Sequence, residues 1–303
     1  MISRRQFLKW SAALGASAAL LPSYAFAAPM LPPRITRYAV TPKRWPADLK
    51  LTIAMVADLH ACEPWMSADR VASIADTANT LGADMIVLLG DYVAGHRMVS
   101  GPVHSSEWAA ALSRLRAPLG VHAVLGNHDW WDDRQAQRDG AGPIVSRKAL
   151  ERESIPVYEN DAVRLKKDGH SFWLAGLGDQ LAFLPARRRL GQRIGIDDLS
   201  GTLAKVGQDD NVILMAHEPD VFRRVPERVS LVMSGHTHGG QIRLFGWSPV
   251  VPSRYGSKYA YGHVREHTDL IVSGGLGCSI MPVRFGVPPE IVLVTVMGEG
   301  RKA

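Results

Sequence analysis

The sequence predicts an α/β fold in which short buried strands alternate with amphipathic helices. One observation is a series of apolar runs with the length of buried strands, at 51–57, 85–89, 121–125, 212–216 and 229–233. A second is the helical spacing of apolar residues between Ser67, a good N-cap, and a stop at Gly82. The third is length, because roughly 276 of the 303 residues follow an N-terminal leader and can fill one large core or two packed sheets.

The later elements follow from the same periodicities. A second helix is expected after Ser105 or Ser106, because Trp108 and Leu112 share one helical face. The runs 162–165 and 171–177 flank Lys167-Asp168-Gly169 and predict a hairpin. Further predicted elements are a helix at 197–206 and strands at 271–273 and 291–296. No internal repeat or linker divides the chain, so one domain is expected over 51–297.

The N-terminus predicts export. Residues 3–9, Ser-Arg-Arg-Gln-Phe-Leu-Lys, match the twin-arginine pattern S-R-R-x-F-L-K, and a weakly hydrophobic stretch follows. Ala25-Phe26-Ala27 offers a cleavage site, so residues 1–27 are expected to be a signal peptide recognised by the twin-arginine translocase. The mature protein would be periplasmic or otherwise extracytoplasmic, with an uncleaved membrane anchor as the alternative. Residues 28–50, which contain five prolines, are predicted to be an extended lead-in.

The charge balance limits the classes of partner. The chain has 35 basic and 29 acidic residues, and the leader holds three of the basic ones, so the mature excess is near +3. Such a mild excess suits an anionic substrate or a phospholipid surface. The chain lacks the dense basic stripe of a nucleic-acid-binding protein, so no nucleic acid is expected as a partner.

Residue types that bind metals follow most of the strand-like runs. They are Asp58-Leu59-His60, Gly90-Asp91, Gly126-Asn127-His128-Asp129, His217 and Gly235-His236-Thr237-His238. Strand ends at one edge of a sheet converge, so these groups can meet in one pocket. One of them alone would be an ordinary polar residue at a strand end. Together they supply enough carboxylate, amide and imidazole ligands for two divalent ions, which predicts a dinuclear metal hydrolase.

These blocks resemble the calcineurin-like metallophosphoesterase superfamily, whose pattern is D-x-H, G-D, G-N-H-[DE], H and G-H-x-H. The resemblance extends from about 51 to about 296. Adjacent residues, such as Trp130-Trp131 and the segment 282–286, resemble a bacterial branch of exported or membrane-associated phosphodiesterases. The resemblance implies a four-layer αββα sandwich of two mixed β-sheets.

The resemblance also implies roles for individual residues. One metal would be held by Asp58, His60 and His238, the other by Asn127, His217 and His236, and both would be bridged by Asp91. Two adjacent dications lower the pKa of a shared water and so supply a hydroxide for attack on phosphorus. His128 would be the catalytic imidazole that protonates the leaving alkoxide. A purely structural His128 is the alternative.

Two features qualify this assignment. Many family members have a second Asp three residues after the bridging Asp, where it orients the catalytic histidine, but this chain has Ala94. Either another partner orients His128 or its contribution as an acid is weaker.

The twin-arginine route exports folded proteins, so metal can be inserted before copper or zinc competes for the site. We therefore expect two manganese or iron ions, with zinc as the alternative.

Residues that contact substrate are harder to predict. Arg284 and Arg243 are candidates for phosphate binding, with surface or structural pairing as the alternative. Trp130 and Trp131 are candidates for an aromatic wall, with core packing as the alternative. The segment 181–190 joins an apolar patch to three arginines and suggests peripheral membrane contact. The alternative is a solvated helix start over buried apolar residues.

Cys62 and Cys278 are the only cysteines. In an oxidising compartment they could form one disulfide, but we expect two separate buried thiols.

Three functions are compatible with the sequence. The leading one is an exported metal-dependent phosphoesterase, more specifically a phosphodiesterase, that acts on an envelope phospholipid, glycolipid or wall polymer. The second is a UDP-diacylglucosamine pyrophosphohydrolase of lipid A synthesis, although its nucleotide substrate is cytoplasmic and the leader argues against it. The third is a non-catalytic binding module on the same scaffold, which only Ala94 favours.

Overall fold

The computed structural model describes residue 10 and residues 22–184 and 194–299. The strands are β1 Arg34–Val40, β2 Leu51–Val56, β3 Cys62–Glu63, β4 Met85–Leu89, β5 Gly101–Pro102, β6 Val121–Val124, β7 Asp161–Lys167, β8 His170–Gly176, β9 Val212–Met215, β10 Val229–Ser234, β11 Gly262–Arg265, β12 Asp269–Val272 and β13 Glu290–Val296. The principal α-helices are α1 Ala68–Asn79, α2 Ser105–Leu112, α3 Asn127–Asp132, α4 Arg134–Asp139, α5 Val145–Arg152 and α6 Leu199–Ala204.

Two mixed sheets form the centre of the molecule. The first has the order β1-β13-β2-β4-β6, with β2, β4 and β6 parallel and β13 antiparallel to β2. The second has the order β11-β12-β10-β9-β8-β7, with a parallel centre and an antiparallel strand at each edge. Parallel strands covered on both faces are apolar along their whole length, which explains the continuous apolar runs in the sequence.

Strand β2 illustrates how the layers form. Leu51, Ile53 and Met55 belong to the buried cluster between the two sheets. Ala54 and Val56 point the other way, into the cluster that packs α1 and α2 on the first sheet. A third cluster covers the outer face of the second sheet with α6 and the 3-10 helix Pro219–Arg224. The fold is therefore the expected four-layer αββα sandwich.

Several local predictions are confirmed. The Ser67 side chain accepts a hydrogen bond from the Arg70 backbone N–H at 3.2 Å and so caps α1. Helices α2 and α6 and strands β12 and β13 occur where the sequence predicted them. Strands β7 and β8 form the expected antiparallel hairpin.

The region before β2 differs from the prediction. Strand β1, Arg34–Val40, pairs in parallel with β13 at the edge of the first sheet. Part of the segment 28–50 is therefore a sheet strand, whereas the sequence suggested a lead-in outside the domain. The physical reason is that an edge strand contributes backbone hydrogen bonds while only one face contacts the core, so its side chains give a weak apolar signal.

Among the described residues, no helix has the length and apolarity needed to cross a bilayer.

Candidate metal centre

The sequence-predicted ligands come together at one edge of the sandwich. Each lies just after a parallel strand: Asp58 and His60 after β2, Asp91 after β4, Asn127 after β6, His217 after β9, and His236 and His238 after β10. All of these side chains are buried. Because the carboxyl ends of parallel strands from both sheets point to this edge, the topology brings residues from distant parts of the chain into contact.

One group of potential ligand atoms contains Asp58, His60, Asp91 and His238, all within 4.8 Å of one another. His60 Nε2 lies 3.1 Å from His238 Nε2 and 3.5 Å from Asp91 Oδ2. His238 Nε2 is 3.8 Å from Asp58 Oδ1. This donor set of two imidazoles and two carboxylates is one that divalent transition metals accept.

A second group of potential ligands contains Asp91, His217 and His236. His217 Nε2 lies 3.3 Å from Asp91 Oδ2 and 3.2 Å from Asn127 Oδ1. His236 Nδ1 is 2.8 Å from the same Asn127 oxygen. Asp91 therefore belongs to both groups, as a bridging carboxylate should.

The backbone around the site is strained. Five of the seven proposed ligands have a left-handed backbone, namely Asp58, His60, Asp91, His236 and His238, with φ between 49° and 69°. Each such non-glycine residue costs about 1 kcal/mol or more, so the surrounding structure must hold it in place. Strain of this kind concentrates at functional sites, because a relaxed backbone would direct the side chains elsewhere.

Neighbouring backbone groups orient the histidine rings. The Nδ1 atom of His60 lies 2.9 Å from the Val93 carbonyl oxygen, and that of His217 lies 2.6 Å from the Leu89 carbonyl oxygen. A ring that donates its Nδ1–H to a carbonyl keeps the Nε2 lone pair free for a metal. In both rings Nε2 is the atom that faces the site.

Asp129 fixes the two loops that carry Asp91 and Asn127. Its carboxylate accepts hydrogen bonds from the backbone N–H groups of Asp91, Tyr92 and Gly126 at 2.9–3.0 Å. The motif G-N-H-D contains this residue, but sequence reasoning assigned it no role. Its position explains the preference for a carboxylate there, because one side chain satisfies three buried donors.

Burial dominates the electrostatics of the ligand set. It lowers the pKa of His60 to about 3 and depresses the pKa of both His236 and His238, so these rings are neutral and can offer lone pairs. Burial also raises the pKa of Asp58 to about 7. His217 differs: burial alone would lower its pKa, but the carboxylates of Asp91, Glu218 and Asp58 together raise it.

A further pair of carboxyl groups lies behind His217 and was not identified from the sequence. Asp179 and Glu218 are both buried, and each offers an oxygen within 4.8 Å of a His217 nitrogen. Burial, reinforced by Glu218, raises the pKa of Asp179 well above its usual value. The side chain of Glu218 also accepts from the Gln180 backbone N–H at 3.1 Å.

His128 lies beside the ligands and faces an open pocket. Its backbone N–H donates to Asp91 Oδ1 at 2.9 Å. Its ring centroid is 4.9 Å from that of His60 and 5.0 Å from that of Trp131. Ala94, where many relatives have an Asp, is exposed. His96 comes shortly after Ala94 in the sequence, and its buried Nδ1 atom has no hydrogen-bond partner among the described residues.

The pocket has a volume of about 340 Å³. Its polar floor includes Asp91, Asn127, His128, His236 and His238. Its walls are mostly apolar and include Trp131, Ile242, Pro249, Val250, Pro252, Ile280, Met281 and Val283. A phosphate ester with an apolar substituent fits such a combination, because the floor can bind the phosphate while the walls cover the substituent.

Of the four candidate substrate-contact residues, the structure brings Trp131 into this pocket but not Arg284, Arg243 or Trp130. Arg284 is fully buried, and its guanidinium donates to the carbonyl oxygens of Gly277 and Val287. Arg243 instead stacks over the ring of Tyr261, with 5.7 Å between its guanidinium carbon and the ring centroid.

Trp130 lies in the core against Phe183, and it is the adjacent Trp131 that lines the pocket. Neighbouring residues on a helix point about 100° apart, so only one of the two can face the pocket.

Two other sequence expectations can be compared with the structure. In the segment 181–190, Ala182 and Phe183 are buried in the core. This agrees with the alternative to membrane contact, in which the apolar residues of the segment are buried. The three arginines at 187–189 lie outside the described residues, as do residues 3–9 of the twin-arginine motif. Cys62 and Cys278 are separate buried thiols, as expected, and burial raises the pKa of Cys62 to about 11.

Solved structures with some similarity include the Haemophilus influenzae NAD nucleotidase (NadN), with a TM-score of 0.45 and 14% identity over 75% of this chain and 46% of that chain. Another is a dimetal phosphatase from Danio rerio, with a TM-score of 0.37 and 14% identity over 75% of this chain and 88% of that chain.

Relatives in sequence cover nearly the whole chain. An uncharacterized metallophosphoesterase of Aquifex aeolicus is 29% identical over 88% of this chain and 93% of its own length. The uncharacterized metallophosphoesterase YkuE of Bacillus subtilis is 29% identical over 97% of this chain and 98% of its own length.

Residues 1–20 match the signal sequence of the twin-arginine translocation pathway, and residues 51–240 match the calcineurin-like phosphoesterase family. The family match spans every proposed ligand, and the signal sequence indicates export. The chain therefore belongs to the calcineurin-like phosphoesterase family and is a metallophosphoesterase.

Proposed function

We propose that this chain hydrolyses phosphodiesters with two divalent metal ions bound side by side. The position of Asp91 supports this most directly, because its Oδ2 atom lies 3.5 Å from His60 Nε2 and 3.3 Å from His217 Nε2. A carboxylate shared by two groups of buried ligands is suited to hold a pair of ions close together. The first ion would have Asp58, His60, Asp91 and His238 as ligands, and the second Asp91, Asn127, His217 and His236.

Two further observations indicate that the proposed ligands are suited to bind cations. Asp58 Oδ2 is buried and has no hydrogen-bond partner within the described residues. The Nε2 atoms of His60 and His238 face each other at 3.1 Å. A buried carboxylate oxygen without a partner is costly unless a cation satisfies it, and two Nε2 atoms this close can both direct a lone pair at one ion. Nitrogen and oxygen donors suit manganese, iron and zinc, and we favour manganese or iron because twin-arginine export allows the metal to be inserted before export.

When bound, the two ions would supply Lewis acidity, which favours deprotonation of water near neutral pH and offsets negative charge on the phosphoryl oxygens. The remaining chemistry belongs to the protein. From its position between His60 and Trp131, His128 can donate a hydrogen bond to a phosphoryl oxygen and a proton to the leaving alkoxide. The apolar wall beside it limits the access of bulk water.

The charge of the pocket supports a diester rather than a monoester. No lysine or arginine is among the described residues that line it. A phosphomonoester carries up to two negative charges near neutral pH, whereas a diester carries one. With His128 as the main additional donor, the pocket is better matched to the lower charge.

The apolar walls and the export signal together suggest the class of substrate. A leaving group or retained group with apolar character would contact Trp131, Ile280 and Met281. The esters available outside the cytoplasm that combine a phosphodiester with apolar chains are phospholipids and phosphoglycolipids. We therefore propose an envelope lipid or glycolipid as the substrate class.

The test compares the hydrolysis of bis-p-nitrophenyl phosphate and p-nitrophenyl phosphate by the mature protein loaded with manganese. Faster diester hydrolysis is expected, and the variant Asp91→Asn should lose it. Asp209→Asn is the matched control, because Asp209 is an exposed residue whose ion pair with Arg44 includes no proposed ligand. Absence of metal-dependent hydrolysis of both esters would contradict the proposal and favour a binding module.

A further inference from the structure

A band of exposed apolar side chains borders the opening of the pocket. We call it the apolar rim and define it by Ile242, Leu244, Phe245, Trp247, Val250, Ile280 and Met281. Phe245 is fully exposed, Ile280 is 72% exposed, and Trp247 and Val250 are each 62% exposed. Large apolar groups gathered at one place on a soluble surface mark an interaction site, because water contact with them is unfavourable.

The fold holds the most exposed part of the rim in a tight hairpin. Leu244 and Trp247 exchange backbone hydrogen bonds of 2.8 Å and 2.9 Å, with Phe245 and Gly246 between them. Both central residues have positive φ, 49° and 83°, as the preferred two-residue hairpin turn requires. Phe245 is thus presented at the tip by a built turn, even though a bulky residue at positive φ is disfavoured.

The base of this hairpin is attached to the metal-site loops. Arg243 N–H donates to the Phe285 carbonyl oxygen at 2.7 Å, and Phe285 N–H donates to the Gln241 carbonyl oxygen at 2.8 Å. The Ser248 hydroxyl donates to the Gly239 carbonyl oxygen at 2.8 Å, one residue after His238. The hairpin therefore has a fixed position relative to the proposed ligands.

The charges around the rim favour one class of partner. Residues 239–262 and 279–289 contain no acidic residue; of their four basic residues, Arg284 is buried, Lys258 pairs with Glu266 at 2.8 Å, and Arg254 is exposed. An apolar surface whose own segments carry basic residues and no acidic residue can approach a negatively charged layer of lipid headgroups with little repulsion.

The rim is continuous with the pocket. Ile242, Val250, Ile280 and Met281 line the pocket and are also exposed at its opening. A surface that covered the rim would therefore face His128 and the proposed ligands directly.

The end of the leader points to the same side of the molecule. Tyr24 packs edge-on against Phe285 with 6.0 Å between ring centroids, and the Arg284 N–H donates to the Ala25 carbonyl oxygen at 2.9 Å. The Phe285 backbone in turn bonds to Gln241 and Arg243, both on the first strand of the rim hairpin. In the precursor, the apolar leader segment thus ends next to the apolar rim.

We propose that the apolar rim inserts into an anionic phospholipid bilayer, so that lipid phosphodiesters reach the pocket from the membrane surface. This inference rests on the proposed function and specifies its substrate class as lipids presented by a membrane. It also assigns the membrane contact to the hairpin and the 280–281 loop instead of the segment 181–190.

Vesicle sedimentation tests the proposal. The mature, metal-loaded protein should bind vesicles of phosphatidylglycerol and phosphatidylcholine, and bind phosphatidylcholine vesicles less well. The double variant Phe245→Ser/Trp247→Ser should bind at least about tenfold more weakly, because two apolar side chains no longer partition into the bilayer. Val145→Ser is the matched control, since Val145 is 52% exposed and lies on α5 outside the rim. Its binding should equal that of the wild type.

A second measurement tests insertion itself. Brominated lipids should quench tryptophan fluorescence of the bound protein, and Trp247→Phe should lose most of that quenching while still sedimenting with vesicles. Equal vesicle binding by wild type and double variant would overturn the proposal, as would unchanged quenching in Trp247→Phe. A wild-type dimer that the double variant converts to monomer, without an effect on vesicle binding, would instead identify the rim as a contact between two copies of the chain.

Failure of this inference can be distinguished from failure of the proposed function. Asp91→Asn should sediment with vesicles like the wild type while hydrolysing no ester. Hydrolysis of bis-p-nitrophenyl phosphate without vesicle binding would count against the rim alone. Vesicle binding through the rim without hydrolysis of any diester would count against the proposed function alone.

Discussion

Asp91 and His217 form a buried acid–imidazole pair, with 3.3 Å between Oδ2 and Nε2. Burial is the largest single influence and would lower the pKa of His217, but the charge and hydrogen bond of Asp91, together with the charges of Glu218 and Asp58, raise that pKa well above its ordinary value. Burial would raise the pKa of Asp91, but His217, together with His128 and His60, holds it well below its ordinary value. A metal ion that takes the His217 Nε2 lone pair must displace a proton, so this pair couples metal binding to pH.

Metal affinity should therefore increase with pH. In protein stripped of metal, His217 holds a proton and Asp58, whose pKa burial raises to about 7, is protonated below that pH. Protons compete with metal at both positions, whereas His60, with a pKa of about 3, has none to lose. Affinity should rise as pH increases through 7, by up to about tenfold per pH unit for each proton displaced.

Calorimetric titration with manganese in buffers of different ionisation enthalpy measures the protons released. Release of at least one proton per chain at pH 6, declining toward pH 8, is expected. Metal affinity independent of pH between 6 and 8 would contradict the assignment of His217 and Asp58 as ligands.

Gly126→Ala should remove metal binding by steric means. A Cβ at Gly126 would overlap Asp91 Oδ1 and lie 2.7 Å from the Asp91 nitrogen and from His217 Cε1. The shared carboxylate would have to move, so metal content should fall from two ions per chain. Gly101→Ala is the control, because a Cβ there meets only the Glu63 Cβ, at 4.0 Å. Elemental analysis of both purified variants checks this, and full metal content in Gly126→Ala would speak against Asp91 as the bridge.

His128→Ala should slow esters with poor leaving groups more than esters of p-nitrophenol. Donation of a proton by a positioned side chain contributes about 10²–10⁴-fold, and a p-nitrophenolate leaving group scarcely needs it. Kinetic comparison of bis-p-nitrophenyl phosphate with a phosphodiester of an alkyl alcohol measures the difference. Equal losses on the two substrates would exclude proton donation by His128.

Arg284→Met should destabilise the fold. The buried guanidinium donates to Gly277 and Val287 and approaches His238 Nδ1 at 3.3 Å, so its removal leaves carbonyl oxygens unsatisfied. The unfolding free energy of the metal-loaded protein should fall by about 1–3 kcal/mol in urea denaturation. If the variant kept its stability and only its KM rose, Arg284 would be a substrate contact after all.

The sequence is sufficient to predict the central strands and to bring the proposed ligands to one edge. Strands β2, β4, β9 and β10 are buried on both faces, so their apolar runs are unmistakable. Ligand-type residues directly after them must then lie at the carboxyl edge. Strand β1 gives no such signal, because its residues are mostly half-exposed at the sheet edge.

The substrate side of the site depends on tertiary geometry that the sequence does not reveal. Arg284 is a charged residue, a type that is usually exposed, yet loop packing buries it completely. Trp130 and Trp131 are equivalent in sequence, and only the orientation of α3 decides which one faces the pocket. The apolar rim was also missed, because Phe245-Gly246 is not one of the residue pairs that favour a two-residue hairpin turn.

The metal content of the native protein tests the central claim most directly. Protein purified from its own cell envelope should contain two manganese or iron ions per chain by elemental analysis, or two zinc ions on the alternative. Asp91→Asn, purified in the same way, should retain at most one ion. A wild-type protein with a single ion or none, or an Asp91→Asn protein with two, would contradict a dinuclear centre bridged by Asp91.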